Sequence, residues 1–210
     1  PLAPIDYRVE RIRDGNTFSV RRVVASQADQ AILILSSSFQ ADEDGFEHQI
    51  AMPEVPPPES LPCAVRSSRP VPELIPAQAA AQVVSDLAIE IRPIDPMDPL
   101  HPEKKEPRQA VWFRADGAVQ GNQALHRSLL AYASDFGLLG TSLRPHAATY
   151  YQPDMVTASL DHAMWFYRDF RIDDWMLYVC DSPTAAHARG LNHGNIFRRD
   201  GQLVACVTQE

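Results

Sequence analysis

Apolar and polar positions alternate along the chain in short runs, and those runs predict strands. Residues 5–13 alternate loosely, and 17–26 alternate again with Phe18 and Val20 on one face against Ser19, Arg21 and Val23 on the other. Residues 31–40 (AILILSSSFQ) are apolar and then polar, which reads as a third strand. Asp14-Gly15-Asn16 and Ala28-Asp29 punctuate the runs as turns, so this part predicts a three-stranded antiparallel meander.

The pattern breaks between residues 41 and 107, where only LAIEIR (87–92) alternates cleanly. It resumes with a strand over 109–115, stopped by Asp116-Gly117. Asn122 is a candidate N-cap, and Ala124, Leu125, Ser128, Leu129, Tyr132 and Phe136 then recur at helical spacing, which predicts a helix over about 122–138. Gly137 and Gly140 suit its C-terminal end. Strands are expected over 155–168, 175–181 and 202–209. Residues 184–199 read as a curved strand bent at Gly190 and Gly194. Asp200-Gly201 signals a two-residue hairpin before the last strand. One long apolar helix beside a curved antiparallel sheet is an α+β layer. The first part closes on Phe39-Gln40 as the second closes on Thr208-Gln209, a weak internal repeat.

Composition changes this picture in three places. Of 18 prolines, 13 lie between Pro53 and Pro107, which marks 53–107 as an extended connector. The formal charge of −8 argues against a general nucleic-acid binder, which needs a basic face. The longest apolar run, Ala31 to Leu35, is far too short for a membrane span. No signal peptide is visible at Pro1-Leu2-Ala3-Pro4, and the chain begins without Met. Cys63, Cys180 and Cys206 show no metal-ligand spacing, and an odd count without CxxC reads as reduced thiols in the cytoplasm or another reducing compartment.

The sequence holds no GxSxG, no Walker loop, no GxGxxG and no HExxH, so candidate chemistry rests on single polar residues in apolar settings. Asp135 sits near the end of the apolar helix, where a negative charge is disfavoured and wants a reason. A strand over 155–168 puts Ser159 and Asp161 on one face and His162 on the other. The ordinary reading of His162 is a hydrogen-bonded structural histidine. Gln209 ends the last strand and reads equally as a solvated strand end. His187 and His193 do not suggest zinc, and Arg189, Arg198 and Arg199 are candidate phosphate contacts.

Several segments, in order, carry a resemblance: RDGNTFSVRRV (13–23), SSFQADEDGFEHQ (37–49), VWFRADG (111–117), LLAYASDFGLL (129–139), SLDHAMWFYRDF (159–170), DWMLYVCDSPTAAHARG (174–190) and DGQLVACVTQE (200–210). They resemble type II acyl-CoA thioesterases. The resemblance implies a double hotdog, in which two units each wrap a curved antiparallel sheet around a long central helix. It implies three parts for this chain: 1–52 as the closing strands of a first hotdog, 53–107 as the connector and 108–210 as the second hotdog. A strand, a helix and a further strand are expected ahead of RDGNTF and are not in the sequence.

The resemblance also implies hydrolysis of acyl-CoA to free acid and CoA by a water held by an Asp, a Ser or Thr, and a Gln. These fall on Asp135, Ser159 and Gln209. No cofactor is implied, and a homo-oligomer is expected. A buried Asp135 would have a raised pKa and serve as general base, with Ser159 and Gln209 orienting the water. The competing reading is a non-catalytic hotdog scaffold or fragment that binds acyl chains or a partner. A hotdog hydratase is weaker, because Asp135 has no His about five residues on.

Overall fold

The computed structural model describes residues 3–62, 88–99, 101–150 and 152–210. Cys63, residue 87 of the expected fourth strand and the middle of the proline-rich stretch lie outside them. The polypeptide forms two compact units, Pro1–His48 and Gln49–Glu210.

The first unit is the expected meander: β1 (Ile5–Asp14), β2 (Phe18–Gln27) and β3 (Gln30–Gln40), antiparallel in the order β1-β2-β3. Ala28 and Asp29 both take positive φ, 49° and 62°, so a two-residue type I′ turn joins β2 to β3. Its twist matches that of the paired strands.

The second unit is a six-stranded antiparallel sheet curled on a helix. Its strands are β4 (Ile89–Pro93), β5 (Arg108–Ala115), β6 (Ala163–Phe166), β7 (Met176–Ala186), β8 (Arg189–Arg198) and β9 (Leu203–Gln209), in spatial order β4-β5-β7-β8-β9-β6. Helix α1 (Gln123–Ala133) begins where expected, with the Asn122 side chain accepting from the Leu125 N–H at 3.2 Å. A single-turn helix, α2, follows at Gly140–Leu143. This is the hotdog layout.

The period of two along β7 builds both faces of the sheet. Met176, Tyr178 and Cys180 face the helix, where Leu130, Ala133 and Leu138 close the main core with Phe113, Ile196, Val204 and Val207. Leu177 and Val179 face outward with Trp112 and Phe197. That outer face is covered by Met52, Val55, Leu61 and Ile94, so this part of the proline-rich stretch lies on the sheet. Extended proline-rich chain suits the task, since a flat apolar strip covers a sheet face without its own hydrogen-bond ladder.

Four expectations need correction. The helix stops at Ala133 instead of running to 138, because Gly137 takes φ +79° and the chain turns. The strand expected over 155–168 is regular only at Ala163–Phe166. Continuing the Ala163–Thr208 register would set Asp161 opposite Glu210. Instead the Leu160 N–H donates to the Glu210 carbonyl at 2.8 Å, while the Glu210 N–H donates to the Asp161 carboxylate at 2.9 Å. The side chain thus takes the place of a backbone acceptor and ends the ladder.

Residues 184–199 are not one bent strand. A hairpin turns at His187 and Ala188, with φ 52° and 59°. Gly194 is not a bend but clearance for a ring, since a β-carbon there would meet Cε2 of Tyr178 at 2.2 Å. The hairpin before β9 is closed by the Arg198 N–H, which donates to the Gln202 carbonyl at 2.8 Å and encloses three residues, 199–201, with Gly201 at φ +91°.

Candidate active site

The three residues expected to act together do meet. Gln209 ends β9 with its side chain on the helix-facing side, as its alternation with Val207 and Ala205 requires, and it is 1% exposed. Its Nε2 donates to Asp135 Oδ1 at 2.9 Å and also to Ser159 Oγ. A buried amide with both donors engaged is a satisfied group, not a solvated strand end.

Asp135 reaches this position from the turn after α1, one residue beyond the C-cap Ser134. It is not buried against the apolar helix face, a point that helical spacing alone leaves open. With the helix ended at Ala133, Asp135 is exposed to solvent while its Oδ1 holds Gln209. The turn that carries it is fixed from both sides. Gln109 Nε2 donates to the Gly137 carbonyl and to Thr141 Oγ1, both at 2.7 Å. Tyr178 Oη donates to the Ser134 carbonyl at 3.0 Å. Burial pushes the Tyr178 hydroxyl well above its ordinary range, so that donor persists at any working pH.

Ser159 and His162 were expected on opposite faces, yet both contact Gln209. His162 Nδ1 lies 2.7 Å from Gln209 Oε1, and its Nε2 lies 2.9 Å from Ser134 Oγ. The broken ladder is the reason, since face parity holds only inside a regular strand. Donor and acceptor roles follow by elimination. An ionised Asp135 only accepts, so the Nε2 end of Gln209 must face it. Oε1 then faces His162, and Nδ1 must carry a hydrogen.

Sequence reasoning read His162 as a hydrogen-bonded histidine without its partners, Gln209 and Ser134, and missed Ser134, although ASD places it beside Asp135.

A cavity of about 510 Å³ opens beside the cluster. Leu139, Leu143, Met155 and Leu160 line it together with the hairpin tip His187–Gly190. Leu160 and Glu210, next in sequence to Ser159 and Gln209, line it too. The three candidate phosphate contacts each pair with a carboxylate. Arg189 lies 3.5 Å from Glu210, Arg198 2.5 Å from Asp200 and Arg199 2.6 Å from Glu59. Among the described residues, no three His, Cys, Asp or Glu side chains are grouped to hold a metal ion, and no helix is long and apolar enough to cross a membrane.

The chain is similar in sequence and fold to known proteins. A family profile described as acyl-CoA thioesterase matches residues 78–210. Human acyl-coenzyme A thioesterase 8 is 41% identical, over 100% of this chain and 68% of its own. The crystal structure of an acyl-CoA thioesterase II from Mycobacterium marinum superposes with a TM-score of 0.77 at 39% identity, covering 97% of this chain and 71% of the other. A hotdog protein of unknown function from Alicyclobacillus acidocaldarius gives a TM-score of 0.73 over 97% of this chain and 70% of the other. At 19% identity it speaks for the fold alone.

Proposed function

Because the chain belongs to the acyl-CoA thioesterase family and is a thioester hydrolase, we propose that Asp135, Ser159 and Gln209 activate the water that does the work. The observation that carries this is the shared amide: one Gln209 side chain binds both Asp135 and Ser159. Since Ser159 Oγ accepts from Gln209, its own hydrogen is free to be donated to a water. That leaves the second carboxylate oxygen of Asp135 to accept a hydrogen from the same water, whose remaining lone pair is aimed at the thioester carbonyl.

Water oxygen bonds to the carbonyl carbon as Asp135 takes the proton. The tetrahedral intermediate expels the CoA sulfur, which recovers the proton from Asp135, giving the free acid and CoA thiol. A covalent acyl-enzyme on Ser159 would need a base on its hydroxyl. Both nitrogens of the nearest imidazole are held elsewhere, by Gln209 and Ser134. The neighbouring cavity, of a size ordinary for small-molecule sites, offers the acyl chain an apolar wall.

A reducing compartment accompanies this reading, supported by the free thiols of Cys180 and Cys206.

Thiol release from acyl-CoA tests the assignment. Asp135→Asn and Gln209→Ala are each expected to lower kcat by about 10²-fold or more. Full activity in both variants would remove the assignment.

A further inference from the structure

We propose that His162 is a positioning residue whose Nδ1–H decides which way round the Gln209 amide sits. The proposal rests on the reading that Gln209 serves hydrolysis. A glutamine amide has nearly the same shape in its two orientations, and only one presents donors to Asp135 and Ser159. The other would set the amide oxygen against a carboxylate. Gln209 is 1% exposed, so solvent does not make up for a wrong orientation.

Two neighbours hold the choice in the resting site. Asp135 attracts Nε2 at 2.9 Å, and His162 Nδ1–H holds Oε1 at 2.7 Å. Their roles separate during turnover. Once Asp135 has taken the water proton it is neutral, and its preference for Nε2 weakens. The imidazole still donates to Oε1 and keeps the amide in place until the proton is returned.

The ring is itself anchored. Its Nε2 meets Ser134 Oγ at 2.9 Å, and Ser134 is fully buried as the C-cap of α1, next to Asp135 in the chain. One fixed point therefore carries both the group that receives the proton and the imidazole that keeps the amide aligned.

The two ring nitrogens can be separated by substitution. Asparagine places an N–H near the position of Nδ1, whereas glutamine reaches toward Nε2 and Ser134. Thiol release from acyl-CoA is measured for His162→Asn, His162→Gln and His162→Ala, each alone and combined with Gln209→Ala, together with the melting temperature. His162 is exposed, so folding is expected to survive all three. The expected result is that His162→Asn keeps kcat within about threefold of the parent. His162→Gln and His162→Ala lose about 10- to 30-fold in kcat with KM nearly unchanged, and none of the three adds a loss once Gln209 is alanine. The proposal is overturned if His162→Ala matches the parent, if asparagine does no better than alanine, or if the loss persists in full without Gln209. A silent Gln209→Ala would instead overturn the reading of Gln209 itself.

Discussion

A β-carbon at position 194 would stand 2.2 Å from one ring carbon of Tyr178 and 2.8 Å from its hydroxyl oxygen. The glycine is therefore what lets the ring lie flat across β8 and reach the Ser134 carbonyl, beside the turn that carries Asp135. Gly194→Ala is expected to cost about 2–3 kcal/mol by overpacking and to lower kcat as the turn shifts. Denaturant midpoints and thiol release check the two effects. Adding Tyr178→Leu should restore part of the stability and none of the activity. Single residues were legible in the sequence only where chemistry left a mark. Asp135 stood out as a carboxylate at the wrong end of a helix. His162 did not, because its partner depends on a ladder that breaks next to it, and no local spacing records that break.

Among the elements, those built on periodicity were readable: the meander, β5, the start of α1 and β9. Those set by tertiary contact were not. The turn at His187 and Ala188 carries neither glycine nor asparagine, the residues that announce a type I′ turn. It forms because the ladder pairs Ala186 with Arg189 and leaves two residues between them. Holding non-glycine residues at positive φ costs about 1 kcal/mol each. Replacing the pair by Asn-Gly (His187→Asn with Ala188→Gly) is accordingly expected to raise stability by about 1 kcal/mol. A urea titration with an unchanged slope would show it. The strand expected over 155–168 failed for the complementary reason: a good alternating pattern lost to one carboxylate, that of Asp161, which took the N–H a regular ladder would have given to a carbonyl.

Over the whole second unit, one buried charge ties distant segments together. Glu90 on β4, 4% exposed, bonds Arg92 at 2.6 Å and Arg114 of β5 at 2.9 Å, and both guanidinium groups lie over the ring of Trp175. Arg92 also donates to the carbonyls of Pro58 and Leu61, fastening the proline-rich strip to the sheet. Burial raises the Glu90 pKa, but the hydrogen bonds from the two arginines outweigh it and leave it below the ordinary value. A depressed folded-state pKa contributes stability that is complete above the unfolded value of about 4.5 and is lost as pH falls through the folded one. Melting temperature should therefore drop on acidification below about pH 4.5. Glu90→Gln should lower it at neutral pH by the equivalent of about 2 kcal/mol and flatten the acid slope. The strip and its clamp were hidden in the sequence, where proline clustering read only as a connector and LAIEIR only as a strand.

The bonds of Gln209 have a consequence for the protein while it is being made. Asp135, Ser159 and His162 leave the ribosome well before the side chain that links them, which follows Asp135 by 74 residues. At ordinary translation speeds that interval is roughly 4–15 s. Through it a nascent chain carries α1 and, in time, β7 and β8, without the bridge between carboxylate and hydroxyl. On the proposed role of Gln209, hydrolysis is withheld from every chain that has not yet received β9.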